Sequence, residues 1–255
     1  MSMESPTWKA QWRGWRTLRG LRPTAIDLER IALIRAAPLH DLAQADKIEK
    51  LLLNLGLNDE GIDEFPAVLH PFCGSGLRIW QYPSQFSKYL LQLSGLHVRS
   101  YIEIGVRHGG SFVATVELLN RFFPLEFAVA IDILPAPSMT EYMRLNVRAT
   151  FECVSTQSPD FETLLDRFPS LDLVFIDSHH EESHCRRELA AVRDKAKMIA
   201  LHDISNVNCP GIARVWEDVK SMESFHCYEF TDQYEGMGPY MGIGLAVAKG
   251  RLNCG

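Results

Sequence analysis

Glu103-Ile104-Gly105-Val106-Arg107-His108-Gly109-Gly110-Ser111 stands between a run that reads as a β-strand, 100–104 (SYIEI), and one that reads as a helix, 110–122. Glycine in a strand-to-helix turn lets the backbone pass close to a ligand, and the helix beyond offers unpaired N–H groups. Gly105 and Gly109 are four positions apart, so the turn is not a dinucleotide G-x-G-x-x-G, and a P-loop lysine is missing. A tight turn with no ligand would use the same glycines. The flanking pattern settles the fold class. Further β-rich runs follow at 127–132, 150–154, 171–176 and 197–202, with helical stretches at 138–147, 160–167 and 182–194. Such alternation makes a parallel sheet with crossover helices. A helix at 211–221 and strands near 225–230 and 240–248 read as an antiparallel finish. The expected fold is α/β, a doubly wound, mostly parallel, seven-stranded sheet.

Upstream, residues 24–36 and 40–55 carry apolar residues at mostly helical spacing, and 84–93 is a further helix leading into the first strand. Between 57 and 82 the composition turns to Gly, Pro, Asp and Asn, which reads as a linker or mobile loop. The chain therefore divides into an N-terminal helical extension and loop, 1–75, and a main domain, 76–255.

With 255 residues, 46% of them hydrophobic, the chain can bury a sizeable core. Its longest apolar runs, 127–133 and 171–176, are strand-sized, short of the roughly 20 residues of a membrane span. The first residues lack the apolar stretch and cleavage site of a secretory signal. Six cysteines without paired spacing read as reduced thiols in the cytoplasm. A formal charge of −6 argues against a general nucleic-acid binder. Residues 1–22 nevertheless set five basic residues against Glu4 alone, with tryptophans at 8, 12 and 15. That segment is either a basic amphipathic helix for a membrane surface or partner, or a helix packing its tryptophans on the body.

The second strand ends at Asp132, 29 residues after Glu103. A carboxylate there can accept both hydroxyls of a ribose, at the strand ends where open α/β sheets bind ligands; it can also serve as a turn or cap aspartate. Asp177, His179 and His180 follow the strand 171–176, and His202-Asp203 ends the strand 197–202. Adjacent strand ends open onto one crevice, so these distant carboxylates and imidazoles can converge.

Over roughly residues 76–250 the sequence resembles the class I S-adenosylmethionine-dependent methyltransferases, in E-x-G-x-x-x-G at Glu103, Gly105 and Gly109, the acidic end of the second strand, and D-x-x-H after the fourth. More narrowly, EIGVRHGGS, FIDSHH, LHD and GLRIWQYP (76–83) resemble antibiotic-pathway sugar O-methyltransferases and cephalosporin-hydroxylase-like proteins. The resemblance implies a Rossmann-like methyltransferase fold. It implies that Glu103, Gly105 and Gly109, with Val106, Arg107 and Ser111 of the same motif, cradle the methionine part of the cofactor. Asp132 would hold the ribose, Gln157 with Ser158 would lie beside the adenine, and Gln81, in Trp80-Gln81-Tyr82, would belong to a lid. The family often has Gly-Asp-Ser where this chain has Thr156-Gln157-Ser158. Its metal-assisted members place acidic residues at the later strand ends, often Asp-Asp where this chain has His202-Asp203. Carried over, Asp177, Asp203 and His202 hold a divalent cation, Mg2+ or, given the imidazole, a softer ion.

The sulfonium cofactor is already activated, so the protein has mainly to align an acceptor oxygen and remove its proton. His180 is the first candidate base and His179 the second, since imidazole titrates near neutrality; either can equally be structural. The expected function is O-methylation of a small hydroxyl-bearing molecule with Asp177 in the mechanism, and the resemblance implies oligomerisation through the helices of 1–55. Two other readings stand beside it. His180-Glu181-Glu182-Ser183-His184 matches the H-E-x-x-H of zinc peptidases, although it starts three residues after Asp177, where a helix is only beginning, and no third ligand follows. The chain can also be a methyltransferase-fold protein that binds without turnover. Trp216 and Phe225 read as core, and Tyr234, Gly236, Gly238 and Tyr240 as hairpin-turn residues or the border of an acceptor site.

Overall fold

Seven strands form one sheet in the order β3-β2-β1-β4-β5-β7-β6 in a computed structural model that describes residues 22–250. They are β1 (Ser100–Ile104), β2 (Phe127–Asp132), β3 (Ala149–Cys153), β4 (Leu171–Ile176), β5 (Ala196–His202), β6 (Phe225–Phe230) and β7 (Ile243–Ala248). The first five run parallel, and β7 is antiparallel to both β5 and β6. The order reverses between β1 and β4, the switch point at which ligands enter open α/β sheets. β1 and β4 are buried at every residue, as strands in the centre of a sheet covered on both faces are, and this burial includes the polar Ser100, Glu103 and Asp172.

Helices α1 (Ile31–Ala36), α2 (Leu39–Leu42), α3 (Ala45–Leu55), α4 (Pro83–Ser94), α5 (Gly110–Phe122), α6 (Pro137–Leu145), α7 (Pro159–Asp166), α8 (Glu182–Val192) and α9 (Pro210–Lys220) cover the sheet. Four of them begin on a proline, whose missing N–H costs nothing in the first turn and whose φ is already helical. α9 buries Trp216 and Val219, and Phe225 is buried as expected. Among the described residues no helix is long and apolar enough to cross a membrane.

Three expectations change. Residues 24–27 are extended rather than helical, because their backbone bonds elsewhere: Thr24 N donates to His108 Nδ1 (2.9 Å), Ile26 N to Ser138 Oγ (2.8 Å) and Asp27 N to the Gly76 carbonyl (2.9 Å). The stretch 57–82 is not a loose linker. Leu57 bridges to Cys73 and Ile79, and Leu57, Phe65, Leu69, Leu77 and Ile79 are buried in the cluster that also holds α4 and α5. Residues 240–242 stay outside β7 because buried Gln85 clamps them, donating to the Tyr240 carbonyl and accepting from Gly242 N. The basic, tryptophan-bearing start of the chain, 1–21, lies outside the described residues.

Candidate functional site

β1 delivers Glu103 to the centre of the sheet, between Ala130 of β2 and Phe175 of β4. Gly105 follows at φ +92°, and a Cβ there would stand 2.2 Å from the Asp177 carbonyl oxygen, so the turn after β1 and the loop after β4 pass in contact. Gly110 opens α5 against the Leu77 carbonyl, which a Cβ would meet at 1.9 Å. Arg107 holds a left-handed φ of 49°, a conformation strained for a residue other than glycine, and that turn aims its N–H at Asp132 Oδ2 (2.8 Å). Leu134 N donates to the other oxygen of Asp132. Burial raises the pKa of Asp132, and these two backbone bonds oppose the rise.

Glu103 is fully buried. Its Oε2 accepts from the Tyr101 hydroxyl, whereas its Oε1 has no hydrogen-bond partner among the described residues. Burial raises its pKa from 4.5 to about 8, Tyr101 opposing the rise and Asp177 and Asp132 adding to it. The turn is braced from outside. Glu60, in the segment before α4, takes Arg107 (2.9 Å) and stands 3.2 Å from His108 Nε2.

Beyond β4 and β5 a second group converges on Asp177. His202 Nδ1 lies 2.8 Å and His180 Nε2 3.9 Å from Asp177 Oδ1, while Gln81 Nε2 donates to Oδ2 (2.9 Å). His180 Nδ1 is bonded to Asp203 Oδ2. Asp203, itself at φ +62°, also accepts from Asn206 (2.8 Å) and from the Cys209 thiol (3.5 Å). Burial opposes every charge here, yet the imidazoles of His202 and His180 hold Asp203 well below the usual carboxylate range. In return Asp177 and Asp203 raise His202 to about 9 against the pull of burial, and raise His180 as well. The result is a buried cluster in which His202 pairs with Asp177 and His180 with Asp203. The enclosed space beside Asp177, His180 and His202 is only about 10 Å3, room for a water or an ion and not for an acceptor molecule.

Donor atoms of Asp177, His180 and His202 lie within 4.8 Å of one another, a set that can hold a metal ion. Asp203 groups instead with His180 and Cys209. The expected set of Asp177, Asp203 and His202 is thus near but not a single cluster, since Asp203 turns its carboxylate to His180. His179 parts from His180. It faces Glu181 (3.4 Å) and the ring of His184. Val106 is buried in the apolar core and Ser111 is buried on the first turn of α5, so of that motif the backbone is what faces the crevice. Ser158 Oγ turns back to the Ser155 carbonyl, and Gln157 Nε2 lies 2.7 Å from His184 Nδ1.

His180 precedes α8 and points at Asp177 and Asp203, whereas His184 points at Thr156, Gln157 and Glu188. The two histidines of H-E-x-x-H therefore share no face, and no group of metal donors among the described residues contains both. Tyr234 and Tyr240 pack around Tyr82, and Tyr234 donates to Glu49, so this loop buttresses the Trp80–Tyr82 segment. Sequence reasoning missed Glu60, Asn206 and Cys209. Only Asn206, three residues after Asp203 in a polar turn, carried a local signal.

Residues 102–204 match the family described as a methyltransferase domain. No curated protein matches the chain. Among solved structures the fold is similar to that of the O-methyltransferase from Bacillus cereus in complex with S-adenosylhomocysteine, at 16% identity over 84% of this chain and 93% of that one, with a TM-score of 0.52. It is similar to the O-methyltransferase TomG from Streptomyces achromogenes, involved in tomaymycin synthesis and solved with S-adenosylmethionine, at 16% identity over 67% and 81% of the two chains, TM-score 0.50. The METTL16 methyltransferase domain shares the fold at 12% identity over 67% and 69%, also at 0.50.

Proposed function

We propose that the chain is a class I S-adenosylmethionine-dependent methyltransferase that methylates a hydroxyl oxygen of a small molecule, with His180 as the base. The observation that carries this reading is the His180–Asp203 pair. A buried carboxylate holds Nδ1 of an imidazole whose Nε2 turns toward Asp177, beside the glycine turn after β1.

The residues present fit the cofactor. Glu103 Oε1 is a buried oxygen still lacking a partner, suited to the cofactor's ammonium group. Each Asp132 oxygen accepts one backbone N–H and keeps a lone pair for a ribose hydroxyl. Once bound, the sulfonium supplies an activated methyl group. His180 Nε2 takes the acceptor's proton as its oxygen attacks, and Asp203 stabilises the imidazolium that forms. Gln81 covers the site through its bond to Asp177, so the acceptor enters when the Trp80–Tyr82 segment moves.

A divalent cation would be held by Asp177 and His202, with Asp203 3.7 Å from the His202 nitrogen. There it would polarise the acceptor oxygen. The imidazole makes a borderline ion a better fit than Mg2+, and the raised pKa of His202 means that a proton leaves as the ion binds. We assign residues 76–255 as the catalytic domain and place the protein in the cytoplasm, where unpaired thiols persist; none of the five described cysteines is in a disulfide. Leu33 and Leu39, exposed on the N-terminal helices, are the surface for a homo-oligomer.

Isothermal titration with S-adenosylmethionine and with NAD, each with and without Mn2+, tests the assignment. Saturable binding of S-adenosylmethionine alone, lost in Asp132→Ala, is expected; no binding in any condition refutes it. Turnover that survives His180→Ala removes His180 from the chemistry, and binding without turnover on any hydroxyl acceptor favours a binding protein.

A further inference from the structure

Two hydrogens converge on one carboxylate oxygen in the turn before α9. Asp203 Oδ2 accepts from His180 Nδ1 and, at 3.5 Å, from the thiol of Cys209. The turn is folded around this contact. Asp203 sits at φ +62°, its Oδ1 takes the Asn206 amide (2.8 Å), and Cys209 N donates to the Asn206 carbonyl (2.9 Å). Cys209 and Asp203 are both buried. Donor atoms of these two residues and of His180 lie within 4.8 Å of one another, and among the described residues this is the one group of metal donors that contains a sulfur. Imidazole nitrogen, carboxylate oxygen and sulfur are the ligands zinc takes. On a tetrahedral ion with bonds of about 2.0–2.3 Å the ligand atoms stand about 3.5 Å apart. The Cys209 sulfur already stands at that separation from Asp203, whereas the His180 ring is closer and has to draw back as an ion enters. The sulfur sets this group apart from Asp177 and His202, whose carboxylate and imidazole take harder ions.

We infer that His180, Asp203 and Cys209 form a site for a thiophilic divalent cation of the zinc type, and that an ion held there silences the base. The second half rests on the assignment of His180 above. As the ion binds, the Cys209 thiol releases its proton to solvent and its thiolate sulfur bonds the metal, and His180 Nδ1 exchanges its hydrogen for a metal bond. The thiolate and Asp203 balance the ion's two charges, so the buried site is neutral. Three protein ligands leave one position for water. A neutral imidazole carries one hydrogen, and with Nδ1 on the metal that hydrogen is on Nε2. Nε2 is the atom that takes the acceptor's proton. The ring thus becomes a donor where the chemistry needs a lone pair, and Asp203, held by the ion, no longer stabilises an imidazolium.

Co2+, a spectroscopic stand-in for zinc, tests the site on the full chain. The wild type is expected to show the near-ultraviolet charge-transfer band of a cobalt–thiolate bond, displaced by Zn2+ and retained in Cys185→Ala. Cys209→Ser, which keeps a hydrogen for Asp203, should lose the band and bind Zn2+ at least about 10- to 100-fold more weakly, the loss that removal of even a supporting group causes. Cys209→Ala repeats the test if the serine variant does not fold. Proton–nitrogen correlation spectra of histidine-labelled protein, with the His180 signals identified by their loss in His180→Ala, read the ring directly. Zn2+ should move its hydrogen from Nδ1 to Nε2 in the wild type and not in Cys209→Ser. No thiolate band in the wild type, or a band unchanged in Cys209→Ser, overturns the site. A bound ion that leaves the hydrogen on Nδ1 overturns its action on the base. Neither measurement involves turnover, so the site can fail while His180 stands as the base, and turnover that survives His180→Ala removes the base while the site stands.

Discussion

Glu103→Gln should make the empty protein more stable and its grip on the cofactor weaker, and both effects should depend on pH in opposite senses. Glu103 is raised from 4.5 to about 8, chiefly by burial. Between those two pH values the unfolded chain has released a proton that the folded chain keeps. Stability from this group is therefore full below about pH 4.5 and is lost progressively as pH rises to about 8. At pH 7 the loss spans about 2.5 pH units, or about 3 kcal/mol at 1.36 kcal/mol per unit. Glutamine keeps the shape, accepts from Tyr101 and has no proton to lose. Scanning calorimetry without cofactor should find the variant about 10 °C higher in Tm at pH 7, with the gain shrinking toward pH 5. Cofactor binding runs the other way. An ammonium group needs the carboxylate ionised, so wild-type affinity should climb about tenfold per pH unit from pH 6 until the group's pKa is reached. The same titration on the variant should be weaker and nearly flat. A Tm gain of equal size at pH 5 and pH 7, or a pH-independent wild-type affinity, refutes the reasoning.

His180→Ala is expected to lower kcat by about 10²- to 10⁴-fold while the Kd for S-adenosylmethionine stays within a few-fold; a parallel loss of cofactor affinity would mean that the residue shapes the pocket instead. His202→Asp replaces an imidazole donor by a carboxylate and should move metal preference from Zn2+ or Mn2+ toward Mg2+ in calorimetric titration, and no ion binding by either protein removes the metal from the mechanism. Gly105→Ala combines a φ of +92° with a Cβ 2.2 Å from the Asp177 carbonyl. It should cost about 3 kcal/mol or more in urea denaturation, and an unchanged midpoint would contradict the close approach of the two loops.

The ends of the central strands were legible because β2, β4 and β5 are short, mostly apolar runs stopped by polar residues at the crevice, which located Asp132, Asp177 and Asp203, while β1 runs into the glycine turn at Gly105. What the side chains do there was less legible. His179 and His180 are neighbours in a loop, where no period assigns a face, and the fold sends one to Glu181 and the other to Asp203. The stretch 57–82 hid its packing because Leu57, Phe65, Leu69, Leu77 and Ile79 recur at no helical or strand spacing. The buttress of Asp203 by Cys209 and the bond of Gln157 to His184 are tertiary facts, set by loops that meet only after the sheet has formed.

The pins on residues 24–27 bear on how the chain is made. Thr24, Ile26 and Asp27 bond to His108, Ser138 and Gly76, partners that leave the ribosome up to about 112 residues later. At roughly 5–20 residues per second that is a delay of roughly 5–20 s. Until Ser138 is made the Ile26 N–H lacks its partner, and the apolar residues Ile26, Leu28 and Ile31 have only part of their final packing. Closure of residues 24–27 onto the glycine turn is thus a late event in biogenesis, with the high contact order of a slow folding step.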